Sequence, residues 1–305
     1  MRIGVDLGGT KIEAVALDET DHCLCQKRIP TPAGDYQATL RAVADLVRSI
    51  EQETQQQGTV GIGTPGSASP TTGLMRNANS TCLNGRPLQQ DLENRLRRTI
   101  RIANDADCFT LSEARDGAAA SASSVFGVIL GTGTGAGIAI NGQLIPSQNR
   151  IAGEWGHNPL PWPNPDELPG QPCYCGKNGC IETFLSGPGL CHEYLRTTGQ
   201  LITGHEFAQR LAEQESAAKV VMARYEDRLA RGLATVINIL DPVAIVLGGG
   251  LSNFMQLYEN VPAIWSAYIF SDAVQTRLLP PLHGDSSGVR GAAWLWRKDE
   301  ICHRP

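Results

Sequence analysis

Pro159, Pro161, Pro163, Pro165, Pro169 and Pro172 crowd the stretch between His157 and Cys173. So few backbone donors cannot close a helix or a sheet, and the order of this loop must come from side chains. Cys173, Cys175 and Cys180 follow it. With His157 they make three thiolates and one imidazole, the full tetrahedral set of a structural zinc ion, with no position open for a reacting water. Cys173 and Cys175 stand one residue apart, and Gly176 and Gly179 permit a reversal before Cys180, so three sulfurs can aim at one point. The spacing argues against three small buried hydrophobes. A disulfide would strand one thiol, and nothing in the chain suggests an oxidising compartment. The set is therefore read as structural. Glu154 and Glu182 flank it, so whatever the metal fixes in place, it fixes two carboxylates.

A chain of 305 residues is long for a single core and comfortable for two lobes. The net charge of -5 and the lack of a Lys/Arg run offer no basic field to nucleic acid, which leaves small molecules as the expected partners. Asp6 interrupts any signal-like apolar core, and the uncharged stretch 125–140 is too short and too rich in glycine to span a membrane. A cytoplasmic protein is expected, with Cys23, Cys25, Cys82, Cys108, Cys191 and Cys302 reduced.

The opening strand, residues 2–6, includes Gly4 and Val5 and ends in Asp6. Leu7, Gly8, Gly9, Thr10 and Lys11 form a turn before a second strand over 12–17. Two glycines let main-chain N–H groups approach an anion, and Thr10 and Lys11 add a hydroxyl and a cation, so the turn is a candidate phosphate cradle. An ordinary Gly-Gly hairpin would look the same. Asp6 beside a phosphate predicts Mg2+ held partly through water. Asp35 caps a helix that runs to residue 58 on Leu40, Val43, Leu46, Val47 and Ile50. After a strand over 59–63, Gly66 lies in a tight loop, at the strand end where open α/β sheets place ligands. Asn79 is either a hydroxyl-binding residue or a turn former.

A helix over 88–99 and a strand over 100–103 lead to Asn104 and Asp105, before a helical run over 106–119. Asp105 can face a ligand or cap the helix; one of the pair can cap while the other works. The strand over 125–130 then enters Gly131, Thr132, Gly133, Thr134, Gly135, Ala136 and Gly137, followed by a strand over 138–140. This repeats the opening pattern and suggests two lobes of related topology, each with a phosphate hairpin. The third glycine of a dinucleotide fingerprint is missing, which excludes a Rossmann dehydrogenase. Helices are expected over 184–195 and 218–240. A strand over 243–247 meets Gly248, Gly249 and Gly250, which leave room for an adenosine. A last helix opens at Gly284, Asp285 and Ser286.

Backbone phosphate donors, a cation and a carboxylate able to take a hydroxyl proton are what phosphoryl transfer needs. Asp105 is the candidate base, and Asn104, Glu154 and Glu182 suit a polyhydroxylated acceptor.

The segments Asp6-Leu-Gly-Gly-Thr10-Lys11, Asn104-Asp105, Leu130-Gly-Thr-Gly-Thr-Gly-Ala-Gly137, Glu154-Trp-Gly-His157, Cys173-Tyr-Cys-Gly-Lys-Asn-Gly-Cys180-Ile-Glu182 and Gly248-Gly-Gly250 together resemble the ROK (repressor, open reading frame, kinase) family of sugar kinases over essentially the whole chain. The resemblance implies an α/β fold of the two-lobed actin-like and hexokinase-like ATPase type (ribonuclease H-like), with an active-site cleft between the lobes. It implies lobes of 1–117, completed by a helix over 286–300, and 118–285. Asp105 would be the general base; Gly66, Asn79, Asn104, Glu154, His157 and Glu182 would bind sugar hydroxyls, His157 also ligating Zn2+ with Cys173, Cys175 and Cys180. ATP would lie on the residues from Gly4 to Lys11, on Gly131 to Gly137 and on Gly248 to Gly250, with Mg2+, in a homodimer. Residues 153–161 and 283–291 look most like bacterial fructokinases of the mannofructokinase type, implying fructose 6-phosphate as product, with mannose or glucose also accepted. N-acetylglucosamine or glucose kinases of the family are the alternative. A sugar-responsive repressor is the alternative of another class, disfavoured because the phosphate strand begins at Arg2.

Overall fold

The alternating buried side chains Ile3, Val5 and Leu7 make β1 (Arg2–Leu7) the centre of a five-stranded sheet. The computed structural model describes residues 1–297 and Glu300; Cys302 and the end of the expected C-terminal helix lie outside the described residues. β1 pairs antiparallel with β2 (Lys11–Leu17), which pairs antiparallel with β3 (Cys23–Pro30). On its other side β1 runs parallel to β4 (Thr59–Thr64). A small ribbon of β5 (Ser67–Ala68) and β6 (Met75–Arg76) follows, and β7 (Ile100–Asn104) completes the sheet in the order β3-β2-β1-β4-β7.

α1 (Tyr36–Thr54) buries the expected stripe Leu40, Val43, Leu46, Val47 and Ile50, and Asp35 caps it by accepting the Ala38 N–H at 2.9 Å. The helix ends short of residue 58 because Gln55 turns left-handed (φ 52°). α2 (Leu88–Leu96) adds Leu88 and Leu92 to the same core. α3 (Asp105–Arg115) starts where β7 stops.

The second sheet has the order β10-β9-β8-β11-β12. It comprises β8 (Ser124–Leu130), β9 (Thr134–Ile140), β10 (Gln143–Leu144), β11 (Ala244–Gly248) and β12 (Arg277–Leu279), with β8, β11 and β12 mutually parallel in sequence. β9 begins inside the Gly/Thr run rather than after it. The helix expected over 184–195 is two: α4 (Glu182–Leu185) and α5 (Gly187–Thr198). Ser186 breaks them with extended backbone and caps α5 through the Gly189 N–H at 3.2 Å. α6 (Gly204–Ala212) opens on a capping box, with Thr203 accepting the Glu206 N–H at 3.2 Å and Glu206 accepting that of Thr203 at 2.7 Å. α7 (Ser216–Leu240) is the helix expected over 218–240 and buries the apolar stripe Val221, Tyr225, Leu229, Leu233, Val236 and Ile237, while Pro262 inside α8 (Leu257–Trp265) hid that helix.

The last element, α9 (Ser287–Trp294), packs on β1, β4 and α3. The contact leaves no room for a methyl group: a Cβ on Gly61 would sit 1.9 Å from the Ala292 carbonyl oxygen, and one on Gly291 1.6 Å from that of Cys108.

Two compact units result, one of Met1–Gly117, Gly137–Ala152 and Asp285–Pro305, the other of Ala118–Ala136 and Gly153–Gly284. Residues 137–152, placed in the second lobe on sequence grounds, cluster with the first. Among the described residues no helix is long and apolar enough to cross a membrane.

Candidate active site

In the first unit the candidate site residues gather at the carboxyl ends of β1, β4 and β7. Asp6 is the last polar residue of β1, and the turn beyond it closes with the Gly8 N–H donating to the Lys11 carbonyl at 3.0 Å. Thr31 pins that turn twice, its hydroxyl donating to the Gly8 carbonyl at 2.8 Å and its N–H to the Thr10 carbonyl at 3.0 Å. Gly8, Gly9 and Thr10 line a cavity of about 410 Å³ that also touches Asn79. Lys11 pairs with Glu13 at 3.8 Å. Gly4 and Val5, expected beside the nucleotide, are enclosed: Val5 is fully buried, and a Cβ on Gly4 would lie 2.0 Å from the Val289 carbonyl oxygen.

Asn104 and Asp105 divide the work at the start of α3. Asn104 is the cap, accepting the Ala106 N–H at 2.9 Å, and its amide donates to the Gly66 carbonyl at 3.2 Å, tying the loop after β4 to α3. Gly66 itself is left-handed (φ 72°), and a Cβ there would strike the Arg76 carbonyl oxygen. Asp105 also accepts the Ala106 N–H, at 2.8 Å through Oδ1. Burial, then the charges of Asp105 and Glu13, push the Asp6 carboxyl from its ordinary 3.8 to about 6 against the pull of Lys11 and Arg28. Two carboxylates that repel each other at the foot of a Gly-rich turn are a donor set suited to a hard divalent cation held partly through water.

In the second unit the metal set converges. The ligand atoms of His157, Cys173, Cys175 and Cys180 all lie within 4.8 Å of one another. The Cys175 and Cys180 sulfurs are 3.6 Å apart, and Cys173 Sγ is 3.5 Å from His157 Nδ1. A tetrahedral zinc with Zn–S bonds of about 2.3 Å has edges of about 3.8 Å, so the spacing fits an ion and not a disulfide. Gly176 and Gly179, at φ 86° and 71°, make the reversal that brings Cys180 back. Burial pushes the Cys180 thiol up to about 12 and raises Cys173, whereas the Lys177 backbone N–H lowers Cys175; a bound cation would oppose the two upward shifts.

His157 Nε2 meets the Tyr174 hydroxyl at 2.8 Å, edge to face with the ring at 5.0 Å. Burial, followed by the charges of Glu182 and Glu154, lifts that phenol to about 12. Tyr174 thus stands among His157, Glu154 and Glu182. Its place between two cysteines gave it no separate signal in the sequence. Glu154 heads a single 3-10 turn, Glu154–His157, that the buried Trp155 anchors by donating to the Gly232 carbonyl at 3.2 Å. Glu182 Oε2 accepts the Thr134 N–H at 2.9 Å. In the Gly131–Gly137 run, Gly131 donates to the Gly133 carbonyl at 3.0 Å and Thr132 is exposed; Gly135 lies part-buried in β9, while Ala136 and Gly137 are buried. Gly248 ends β11, Gly249 packs on the Leu130 backbone with φ 80°, and Gly250 has open space around it.

The Pro-rich loop has a second anchor that sequence reasoning missed. Arg231 donates to the Pro161 and Trp162 carbonyls at 3.0 and 2.8 Å and to both oxygens of Glu167 at 2.8 and 3.0 Å. Arg228 donates to Glu167 at 2.7 Å and to Glu193 at 3.1 Å. Burial raises Glu167, and the hydrogen bonds from Arg231 and Arg228 outweigh it, holding the carboxyl below the usual range. The available signal was Arg228, which shares the helical register of Val221 and Tyr225 in an otherwise apolar stripe.

The ROK family model matches residues 2–299. The N-acetyl-D-glucosamine kinase of Yersinia pseudotuberculosis is 40% identical over 299 residues, 97% of this chain and 98% of that protein. The enzyme of the same name from Pectobacterium atrosepticum is 40% identical over 303 residues, 98% of this chain and all of that one. Among solved structures, a ROK hexokinase from Thermus thermophilus superposes with a TM-score of 0.87 at 27% identity, covering 98% of this chain and 99% of that one. A ROK glucokinase from Streptomyces griseus, solved with glucose and AMPPNP, gives 0.78 at 26% identity over 97% and 99%. The α/β fold of the actin-like and hexokinase-like ATPases follows, and the chain belongs to the ROK family.

Proposed function

We propose that the chain transfers the γ-phosphoryl group of ATP to a hydroxyl of a free hexose. The observation that carries the reading is Asp105: a carboxylate at the first turn of α3, joined through Asn104 to the Gly66 loop and in charge contact with Asp6 below the Gly8–Thr10 turn. The acceptor oxygen attacks the γ-phosphorus, the bond to the β,γ-bridging oxygen breaks, ADP leaves, and the hydroxyl proton passes to Asp105. Such a base contributes on the order of 10^2 to 10^4 in rate. Gly8, Gly9, Thr10 and Lys11, with Gly131 to Thr134, hold the phosphates, the N–H groups of Gly8, Gly131 and Thr134 being already bonded within the protein so that they shape the two turns, and Gly250 leaves space for the adenosine. Mg2+ bound through water to Asp6 would neutralise phosphate charge. Asn79, Asn104, Glu154, His157 and Glu182 bind acceptor hydroxyls. Zn2+ on His157, Cys173, Cys175 and Cys180 would order the loop that carries Glu154 and His157.

For the acceptor, the names of the 40% identical relatives support N-acetyl-D-glucosamine. Fructose is the second reading, favoured by the resemblance of residues 153–161 and 283–291 to fructokinases. An ADP-release assay over N-acetylglucosamine, fructose, glucose and mannose separates them by kcat/KM. Magnesium-dependent turnover with one preferred hexose is expected; no sugar-stimulated ADP release with any of the four would overturn the proposal.

A further inference from the structure

Glu182 touches the phosphate turn directly. It opens α4 two residues after the metal-set residue Cys180, and its Oε2 accepts the N–H of Thr134, the residue at which the Gly131–Thr134 turn becomes β9. The fit is close: a Cβ on Gly133 would lie 2.6 Å from the same carboxylate oxygen. The turn is gripped at two further points. Gly156 packs so tightly that a Cβ would come within 2.1 Å of the Thr134 carbonyl oxygen, and Gly187 donates its N–H to the Gly131 carbonyl at 2.7 Å. The Thr134 hydroxyl, on a side chain only 5% exposed, has no hydrogen-bond partner among the described residues. Buried hydroxyls are ordinarily satisfied, so this one suits an oxygen arriving at the turn.

We infer that Glu182 is a positioning residue for the nucleotide's phosphate turn in addition to its proposed acceptor contact, so that one carboxylate couples the two substrates; this rests on the kinase reading above. A carboxylate has two oxygens and about four lone-pair sites. Oε2 takes the Thr134 N–H, and Oε1 can take an acceptor hydroxyl. An acceptor on Oε1 fixes the rotamer whose other oxygen holds the turn, and an ordered turn in return presents Oε1 to the acceptor, because linkage is reciprocal.

The test is the affinity of AMPPNP with Mg2+, by calorimetry, with no sugar present. Glu182→Ala removes the hydrogen bond and weakens nucleotide binding by about tenfold. Glu182→Asp, which keeps the charge but falls one methylene short of Thr134, gives a similar loss and serves if the alanine variant fails to fold. Glu182→Gln, whose amide oxygen still accepts the Thr134 N–H without the charge, stays within about threefold of wild type. Wild-type affinity in both Glu182→Ala and Glu182→Asp would overturn the inference and leave the kinase reading standing. An unmodified chain that does not bind AMPPNP at all would instead sink the kinase reading and the inference with it.

Discussion

Replacing Arg231 with methionine removes the inner anchor of the Pro-rich loop. The guanidinium is 1% exposed and makes two hydrogen bonds to Glu167, one to each of the Pro161 and Trp162 carbonyls, and one to Asp227 at 2.9 Å. Methionine fills much of the space but none of these bonds. Glu167 keeps Arg228 at 2.7 Å and the Asn164 N–H at 2.7 Å, so its charge is not wholly stranded. Breaking a buried pair from one side costs about 3–5 kcal/mol, and two unsatisfied carbonyls add about 1 kcal/mol each unless the loop opens to water. Relaxation of the loop sets the upper limit, and a loss of about 3–5 kcal/mol is expected from guanidinium unfolding at neutral pH. The loss should depend on pH. Glu167 is held below its ordinary 4.5, so its pairing stabilises the wild type above that pH and is lost as pH falls through the depressed folded value. The gap between variant and wild type should therefore narrow in acid. A loss under about 1 kcal/mol, or a gap that ignores pH, would show that this network does not hold the loop.

Other perturbations follow from the same geometry. Lifting the Asp6 carboxyl from 3.8 to about 6 means that its ionised form costs the magnesium-free protein up to about 3 kcal/mol, a penalty that grows as pH rises through that window. Asp6→Asn should raise the melting temperature at pH 7.5 in EDTA and abolish magnesium-dependent turnover; a variant no more stable than wild type would contradict the assigned burial. Cys180→Ser should lower bound zinc from one per chain, measured by elemental analysis. By displacing Glu154 and His157 it should also reduce kcat/KM for the acceptor by about 10^2. Full activity without zinc would remove the metal from the account.

What could be read from the sequence was short-ranged. His157, Cys173, Cys175 and Cys180 are close in the chain, and their chemistry admits few arrangements, so the convergence of their ligand atoms was legible from spacing. The Asn104 and Asp105 pair was legible as a junction where one residue caps; the shared Ala106 N–H and the link to Gly66 needed coordinates. The Glu167 to Arg231 clamp was hidden because it joins residues 64 apart. The helix break at Ser186 was hidden because the apolar pattern runs across it, although a serine before a proline at the second helical position is a start signal. Gly4 reads as part of the opening strand, and the family resemblance sets it beside the nucleotide, yet its small size serves the approach of α9, an element that closes the fold from the far end of the chain.

The proton acceptor is the centre of the functional account, and Asp105→Asn tests it most directly. Asparagine retains an oxygen for the Ala106 N–H, which Asp105 accepts at 2.8 Å, so α3 should start as before. Turnover with the preferred hexose, measured by ADP release, should fall by about 10^2 to 10^4, while the dissociation constants of that hexose and of AMPPNP stay within about threefold. A variant that turns over within about tenfold of wild type would contradict the assignment of Asp105 as the base.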